Sequence, residues 1–476
     1  MRAVFSVATV AMLLLAGVLA TTGEQAQITT LKYIPYAEAR SVIEALRPNL
    51  IPEELRSKSP AERETVWRDW TSRRDQAIRA RLARGDEDTV INFLLYGTTF
   101  TDVPRPSPTE VATLTQNSDD LPKLIASRVE DFMRALDAPN QSERLQFARS
   151  IIVRNGIESN STSGRTQLRQ FLTEGVRRGP AETMNISNAL GSAIQRNDPN
   201  ATLIEQTAFR DRGLSSDTSI LIDYAIEEVL KAVKAEGLVA PEQMQQVGLI
   251  GPGLDFTDKD GGYDFYPQQT IQPFALVNSL ISLELAKLDE IQLTTLDLNP
   301  RINQHLLAAR ARARAGSPYR LVLARNLDLP WNDSLVAYWE RFGDQIASPE
   351  RNAAAPPPTA GHVRIRTVEV RPEIVLSVVP EDVNIVMQRI EPLDLTQRFD
   401  LIVATDVLIY YNVFEQSLAL SNVAHMLRPG GLFITNNAVF LLPDLPMSEA
   451  GRAQLSYMPV PGLGEVNDQL IWYQKN

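Results

Sequence analysis

From about Tyr33 to Gly237 apolar residues recur at the spacing that gives a helix one buried stripe. Two segments, Ser59-Pro60-Ala61-Glu62 and Ser107-Pro108-Thr109-Glu110, predict helix starts. Ser can cap free N–H groups there, Pro sits where its missing N–H is harmless, and Glu completes a capping box. The first opens a helix that carries Val66, Trp67, Trp70 and Ile78 to Gly85. Further helices are expected over Leu121–Leu136, Ser142–Asn155, Thr166–Arg178 and Ser219–Ala235, with Gly, Pro, Asn and Asp between them. After Gly237 short β-rich runs alternate with helical ones. The runs are Val247–Ile250, Gln292–Leu296, Val383–Met387, Leu401–Ala404 and Leu432–Thr435; the helices are Pro273–Leu288, Pro300–Ala315 and Val413–Leu427. That alternation predicts an α/β fold, a parallel sheet covered on both faces, in which ligands bind beyond the carboxyl ends of the strands.

One stretch, 326–380, interrupts the alternation. It holds a helical run, Leu335–Phe342, the linker Ala353-Ala354-Ala355-Pro356-Pro357-Pro358, and an alternating segment from His362 to Val370. The last predicts a half-buried antiparallel strand with Arg364 and Arg366 on its wet face. At the amino terminus Arg2 precedes an uncharged stretch, Ala3 to Ala20, which ends in a cleavage-type Val18-Leu19-Ala20, with a weaker site at Ala26. This is the layout of a secretory signal or an uncleaved anchor, and it predicts that the remainder is exported or membrane-anchored. The chain thus divides into 1–26 (signal or anchor), 27–237 (an all-α domain) and 238–476 (an α/β domain with the 326–380 insertion).

Composition narrows the chemistry. The 476 residues carry a formal charge of −11, which argues against nucleic acid as a partner. There is no cysteine, and the three histidines, His305, His362 and His425, have no ligand spacing. Thiolate nucleophiles, iron–sulfur clusters and zinc sites therefore drop out, and no metal is expected. Backbone, carboxylates, hydroxyls or a borrowed cofactor remain.

Three places have the right residues. Val247-Gly248-Leu249-Ile250-Gly251-Pro252-Gly253-Leu254-Asp255 is a strand ending in G-x-G, where a ligand can approach bare backbone. Asp297, at the tip of the next strand, can accept both hydroxyls of a ribose. The third runs from Phe399-Asp400-Leu401-Ile402-Val403-Ala404-Thr405-Asp406-Val407-Leu408-Ile409-Tyr410-Tyr411 to Met426-Leu427-Arg428-Pro429-Gly430-Gly431-Leu432-Phe433-Ile434.

This third segment resembles the fourth-to-fifth-strand region of class I S-adenosylmethionine-dependent methyltransferases, and is particularly similar to the chemotaxis-receptor methyltransferases. The resemblance covers roughly Gln246–Asn476. It implies a Rossmann-like sheet, S-adenosylmethionine as cofactor and an unidentified methyl acceptor. By the family pattern Gly251, Gly253 and Asp255 fall in the cofactor loop, Asp297 on the ribose, Ile390 against adenine, and Ala404, Thr405 and Asp406 toward the reactive methyl. Asp406, Tyr410 and Asp264 are the candidates for a general base. Tyr263, Tyr266, Tyr410 and Tyr411 are candidates to cage the sulfonium. Three positions depart from the pattern: Leu249 and Asp255 in the loop, and Arg389 where a carboxylate is usual after the third strand. The loop Asp255–Pro267 is expected to cap or reshape the site. The alternative reading is an exported scaffold that keeps the fold without the chemistry. A nicotinamide dehydrogenase is disfavoured because Phe256 stands where a further glycine belongs.

Overall fold

The computed structural model describes residues 30–103, 105, 120–139, 141–196, 198, 201–257, 263–348, 356, 360–391, 394–460 and 464–476. The expected signal and the Ser107-Pro108-Thr109-Glu110 helix start lie outside these residues. In chain order the strands are β1 (Thr30–Tyr33), β2 (Gln246–Ile250), β3 (Gln292–Asp297), β4 (Tyr319–Asn326), β5 (Ala347–Ser348), β6 (Val363–Val370), β7 (Val378–Asp382), β8 (Gln388–Glu391), β9 (Phe399–Ala404), β10 (Leu427–Thr435), β11 (Met447–Val460) and β12 (Gly464–Lys475).

Seven of them form one sheet in the order β11-β12-β10-β9-β2-β3-β7. β7, β3, β2, β9 and β10 are parallel; β12 runs antiparallel to β10 and β11. Alternate residues serve opposite faces, and both faces are apolar. Val247, Leu249, Leu293, Leu401, Val403, Leu432 and Ile434 meet the helices Ile220–Ala235, Gln272–Ser282 and Pro300–Arg314. Ile250, Leu296, Ile402, Ala404, Phe433 and Ile471 meet the helix Val413–Met426 and the first helices of the chain. Double coverage is why these strands read as continuous apolar runs.

The third strand of the sheet is β7, not Val383–Met387. Pro380 lies within β7, which pairs only with β3 and so can leave one side of its backbone unbonded. Val383 to Met387 form the turn that follows it. The 326–380 stretch does carry the expected antiparallel strand, β6, paired with β4 and β5 in a separate small sheet. Arg364 is exposed beside Glu340, whereas Arg366 turns its guanidinium to the Trp339 and Phe342 carbonyls.

The first half of the chain is interlocked with the sheet. β1 pairs antiparallel with β8, residue against residue from Thr30–Glu391 to Tyr33–Gln388. In the helix Pro60–Ala80, Trp67 and Trp70 stack at 5.0 Å, and Trp70 meets the edge of Phe414 at 5.8 Å. Arg79 from the same helix bonds the Leu298 carbonyl and the Asp382 carboxylate at 3.2 and 2.6 Å. Phe256 reaches the other way, fully buried among Phe93, Phe147 and the core of the helices Leu82–Tyr96, Asp120–Asp137 and Glu143–Arg154. No helix among the described residues is long and apolar enough to cross a membrane.

This sharing of side chains makes a prediction for Trp70. Trp70→Ala leaves a cavity between the halves and should cost about 3–5 kcal/mol. Urea unfolding followed by circular dichroism should show one shifted transition; two separated transitions would mean that the halves melt independently.

Candidate active site

The chain leaves β2 to build β3 and β7 on one side, then returns to build β9 and β10 on the other. The reversal opens a crevice at the carboxyl ends of β2 and β9, the place where such sheets bind ligands. A cleft open to solvent lies there, with an enclosed volume of ≈ 80 Å³. Gly251, Gly253, Asp297, Thr405, Asp406 and Tyr410 from the expected set line it, with Tyr411 beside them.

The turn after β2 accounts for both glycines. Gly251 and Gly253 sit at φ +68° and +70°, in the left-handed region that side chains rarely adopt. A Cβ on Gly251 would lie 2.5 Å from the Val407 side chain, and one on Gly253 would lie 2.8 Å from Thr218. Immediately beyond, the Leu254 N–H donates to the Ser216 carbonyl at 2.6 Å.

Asp297 ends β3 and is 8% exposed. One carboxyl oxygen accepts from the Asn299 N–H at 2.7 Å, and Asn299 in turn caps the helix Pro300–Arg314. Burial pushes the Asp297 carboxyl up to about 7; the Asn299 bond opposes this, and the neighbouring Asp382 adds to it. Thr405 is buried and accepts from the Gln272 amide at 2.9 Å. Asp406 is exposed and held at φ +56°, a left-handed conformation in a non-glycine residue. Asn436 secures it: the Asp406 N–H donates to Asn436 Oδ1 at 2.9 Å, and Asn436 Nδ2 donates to Asp406 Oδ1 at 2.7 Å. Tyr410 lies on the Phe209 ring at 5.9 Å, and Arg81 donates to its carbonyl. Burial raises the Tyr411 hydroxyl above its ordinary value.

Several expected residues lie elsewhere. Asp264 is not in the cleft: its carboxylate accepts from the N–H and hydroxyl groups of Thr98 and Thr99, pinning its loop to the helical half. Tyr263 and Tyr266 are buried with that loop, and Arg144 bonds the Phe256 and Tyr266 carbonyls. The described part of the loop therefore anchors the two halves together rather than caging a sulfonium. Asp255 also turns away, with one oxygen accepting from Gln269 at 3.0 Å; burial pushes its carboxyl up to about 6. Ala404 is fully buried in the core at the end of β9, so Thr405 faces the cleft in its place. Ile390 lies in β8, opposite Leu31, because the third strand ends earlier than the sequence pattern implies. The residues that follow that strand and line the cleft are Val383 and Ile385. Arg389 does not stand in for the missing carboxylate: it bonds Glu38 and Glu391. The carboxylate at the end of β7 is Asp382, which accepts from Arg79 at 2.6 Å. Leu249 is fully buried on the other face of β2.

The helical half supplies residues that sequence reasoning missed. Leu82 and the strap Leu214-Ser215-Ser216-Asp217 form one wall of the cleft. The strap is pressed onto the helix Leu82–Tyr96 at Gly85, where a Cβ would lie 1.9 Å from the Leu214 carbonyl oxygen. The one signal available was the polar run ahead of the Ser219 helix cap, which reads as an ordinary loop.

No protein-family model and no curated protein matches the chain. Among solved structures, N-methyltransferase NodS from Bradyrhizobium japonicum WM9 is 13% identical, covering 52% of this chain and 96% of its own, with a TM-score of 0.24. Magnesium protoporphyrin IX methyltransferase (ChlM) from Synechocystis PCC 6803, solved with bound SAM, is 11% identical over 53% of this chain and 79% of its own, at a TM-score of 0.22. The O-methyltransferase NcsB1 from neocarzinostatin biosynthesis is 13% identical over 84% and 96%, at 0.25. The parallel order with its single reversal, closed by an antiparallel hairpin, is a Rossmann-like sheet, and it is the strand order that identifies the fold.

Asp297 makes stability depend on pH in a defined direction. Its folded carboxyl titrates at about 7, against about 4 in an unfolded chain. Its contribution is therefore fully present below pH ~4 and is lost as pH rises to about 7. Asp297→Asn removes that decline. Its gain in Tm over the unaltered protein should be larger at pH 8 than at pH 4; an equal gain at both would contradict the assignment.

Proposed function

We propose that the chain is an S-adenosylmethionine-dependent methyltransferase that uses this cleft. The observation that carries the reading is the convergence of the Gly251–Gly253 turn, the buried Asp297 carboxyl and the apolar pair Val383 and Ile385 around one crevice at the sheet reversal.

The residues present suit that cofactor. Asp297 has a single bond from Asn299 and an oxygen to spare for a ribose diol. Val383 and Ile385 offer an apolar surface to a base. The bare backbone of Gly251, with Ser216 and Asp217 opposite, offers polar groups to an amino-acid end. When bound, the cofactor supplies a methyl group already joined to its leaving group. The protein's share is then to align the acceptor and exclude water. Thr405, Asp406 and Tyr410 stand where the acceptor would approach, at the rim formed by the end of β9. Leu82, Leu214 and Tyr411 add apolar surface to the cleft lining.

Calorimetry with S-adenosylhomocysteine tests this reading. The full chain should bind with measurable heat. Asp297→Ala should weaken binding by roughly tenfold to a hundredfold, the loss expected for a charge-assisted hydrogen-bond pair. Gly251→Ala should abolish it, because its Cβ would drive Val407 into the cleft. Folded protein that gives no heat overturns the proposal.

For the amino-terminal segment we propose export or anchoring, supported by Arg2 and the uncharged stretch to Ala20. Fractionation of carboxyl-tagged full chain should place it outside the cytosol; a soluble cytosolic pool alone would refute this.

A further inference from the structure

We infer that the methyl acceptor is an amine, held at the ends of β9 and β10 by Asp406, with Asn436 as the residue that positions Asp406. This rests on the methyltransferase reading above and names the acceptor class for the same site.

The charge of the cleft comes first. Among the described residues lining it are Asp217, Asp297 and Asp406, and no Lys, Arg or His. A carboxylate or phosphate acceptor would enter against like charge at short range. A cationic or hydrogen-bond-donating acceptor would not.

The second observation concerns which groups at the rim still lack a donor. Asp406 Oδ1 accepts from Asn436 Nδ2, and Asp406 Oδ2 carries no bond from any described residue. An exposed carboxylate oxygen at the rim suits a cationic N–H donor, which it both pairs with and accepts from.

The third is geometric. The left-handed backbone of Asp406 is costly in a non-glycine residue and persists only where its surroundings fix it. The paired bonds with Asn436 fix both its amide and its carboxylate. The carboxylate is thus set at the mouth of the cleft, beside Thr405 and Tyr410, with one oxygen turned free. An amine that has lost its ammonium proton to water is neutral, and it becomes cationic as its nitrogen takes a methyl group. A fixed carboxylate at that point favours the charge as it develops.

The test uses two probes of similar size and opposite charge, benzylamine and phenylacetate, titrated at pH 8 into full-length protein saturated with S-adenosylhomocysteine. Benzylamine should bind and phenylacetate should not. Asp406→Asn should weaken benzylamine by roughly tenfold to a hundredfold while leaving S-adenosylhomocysteine affinity unchanged. Asn436→Ala should weaken it too, and should add little on top of Asp406→Asn, because both act on one hydrogen bond to the amine. A merely structural role for Asn436 would instead lower S-adenosylhomocysteine affinity, or add fully in the double variant. If S-adenosylhomocysteine binds but phenylacetate binds as well as benzylamine, or Asp406→Asn changes nothing, the acceptor inference falls and the methyltransferase reading stands. If S-adenosylhomocysteine itself does not bind to folded protein, both fall.

Discussion

The turn Gly251-Pro252-Gly253 is the constraint on which the site depends. Both glycines hold left-handed backbone angles, and each is closed in by a neighbour that leaves no room for a side chain. Their neighbours come from different places: Val407 follows β9, and Thr218 follows the helical half's strap. The turn is also tied to that strap through the Leu254 N–H and the Ser216 carbonyl. The sheet reversal, the helical wall and the rim of β9 are therefore referred to the same three residues. A change at any one of them would be felt at the others.

That arrangement gives the helical half a role which its composition does not reveal. It has a core of its own, from Val90 to Val176, yet it is joined to the sheet at several points. Its first strand extends β8, its Trp70 packs on the helix after β9, and the loop beyond the glycine turn plugs Phe256 into its interior. Arg79 spans the junction by bonding both Leu298 and Asp382, so the ends of β3 and β7 are held from above. Burial on this scale also explains the raised Asp297 carboxyl. A carboxylate shut beneath the helical half loses water and keeps one backbone donor, an unfavourable balance that a ligand's hydroxyls would relieve.

Much of this was legible in the sequence, for a physical reason. Strands buried on both faces leave uninterrupted apolar runs, and four of the five runs, those leading to Gly251, Asp297, Thr405 and Thr435, became sheet strands in parallel order. The fifth failed at Pro380, which disguises an edge strand, and the expected adenine-side residue, Ile390, fell in β8 outside the cleft that Val383 and Ile385 line. Asp264, Tyr263 and Tyr266 were misplaced because acid and aromatic residues next to a glycine turn look alike whether they face a ligand or grip another helix. The strap Leu214–Asp217 and Asn436 were invisible, since nothing local marks a loop as the far wall of a cleft or a side chain as the partner of a strained residue. Contacts made across hundreds of residues leave no periodicity to read.

The central claim is that one cleft, walled by both halves of the chain, holds the cofactor. Amide hydrogen exchange with and without S-adenosylhomocysteine tests it most directly. The account predicts slowed exchange in 214–217 together with 251–254, 297–303 and 405–411, in one concentration-dependent step. Protection confined to the sheet segments, or absent from all of them, would contradict it.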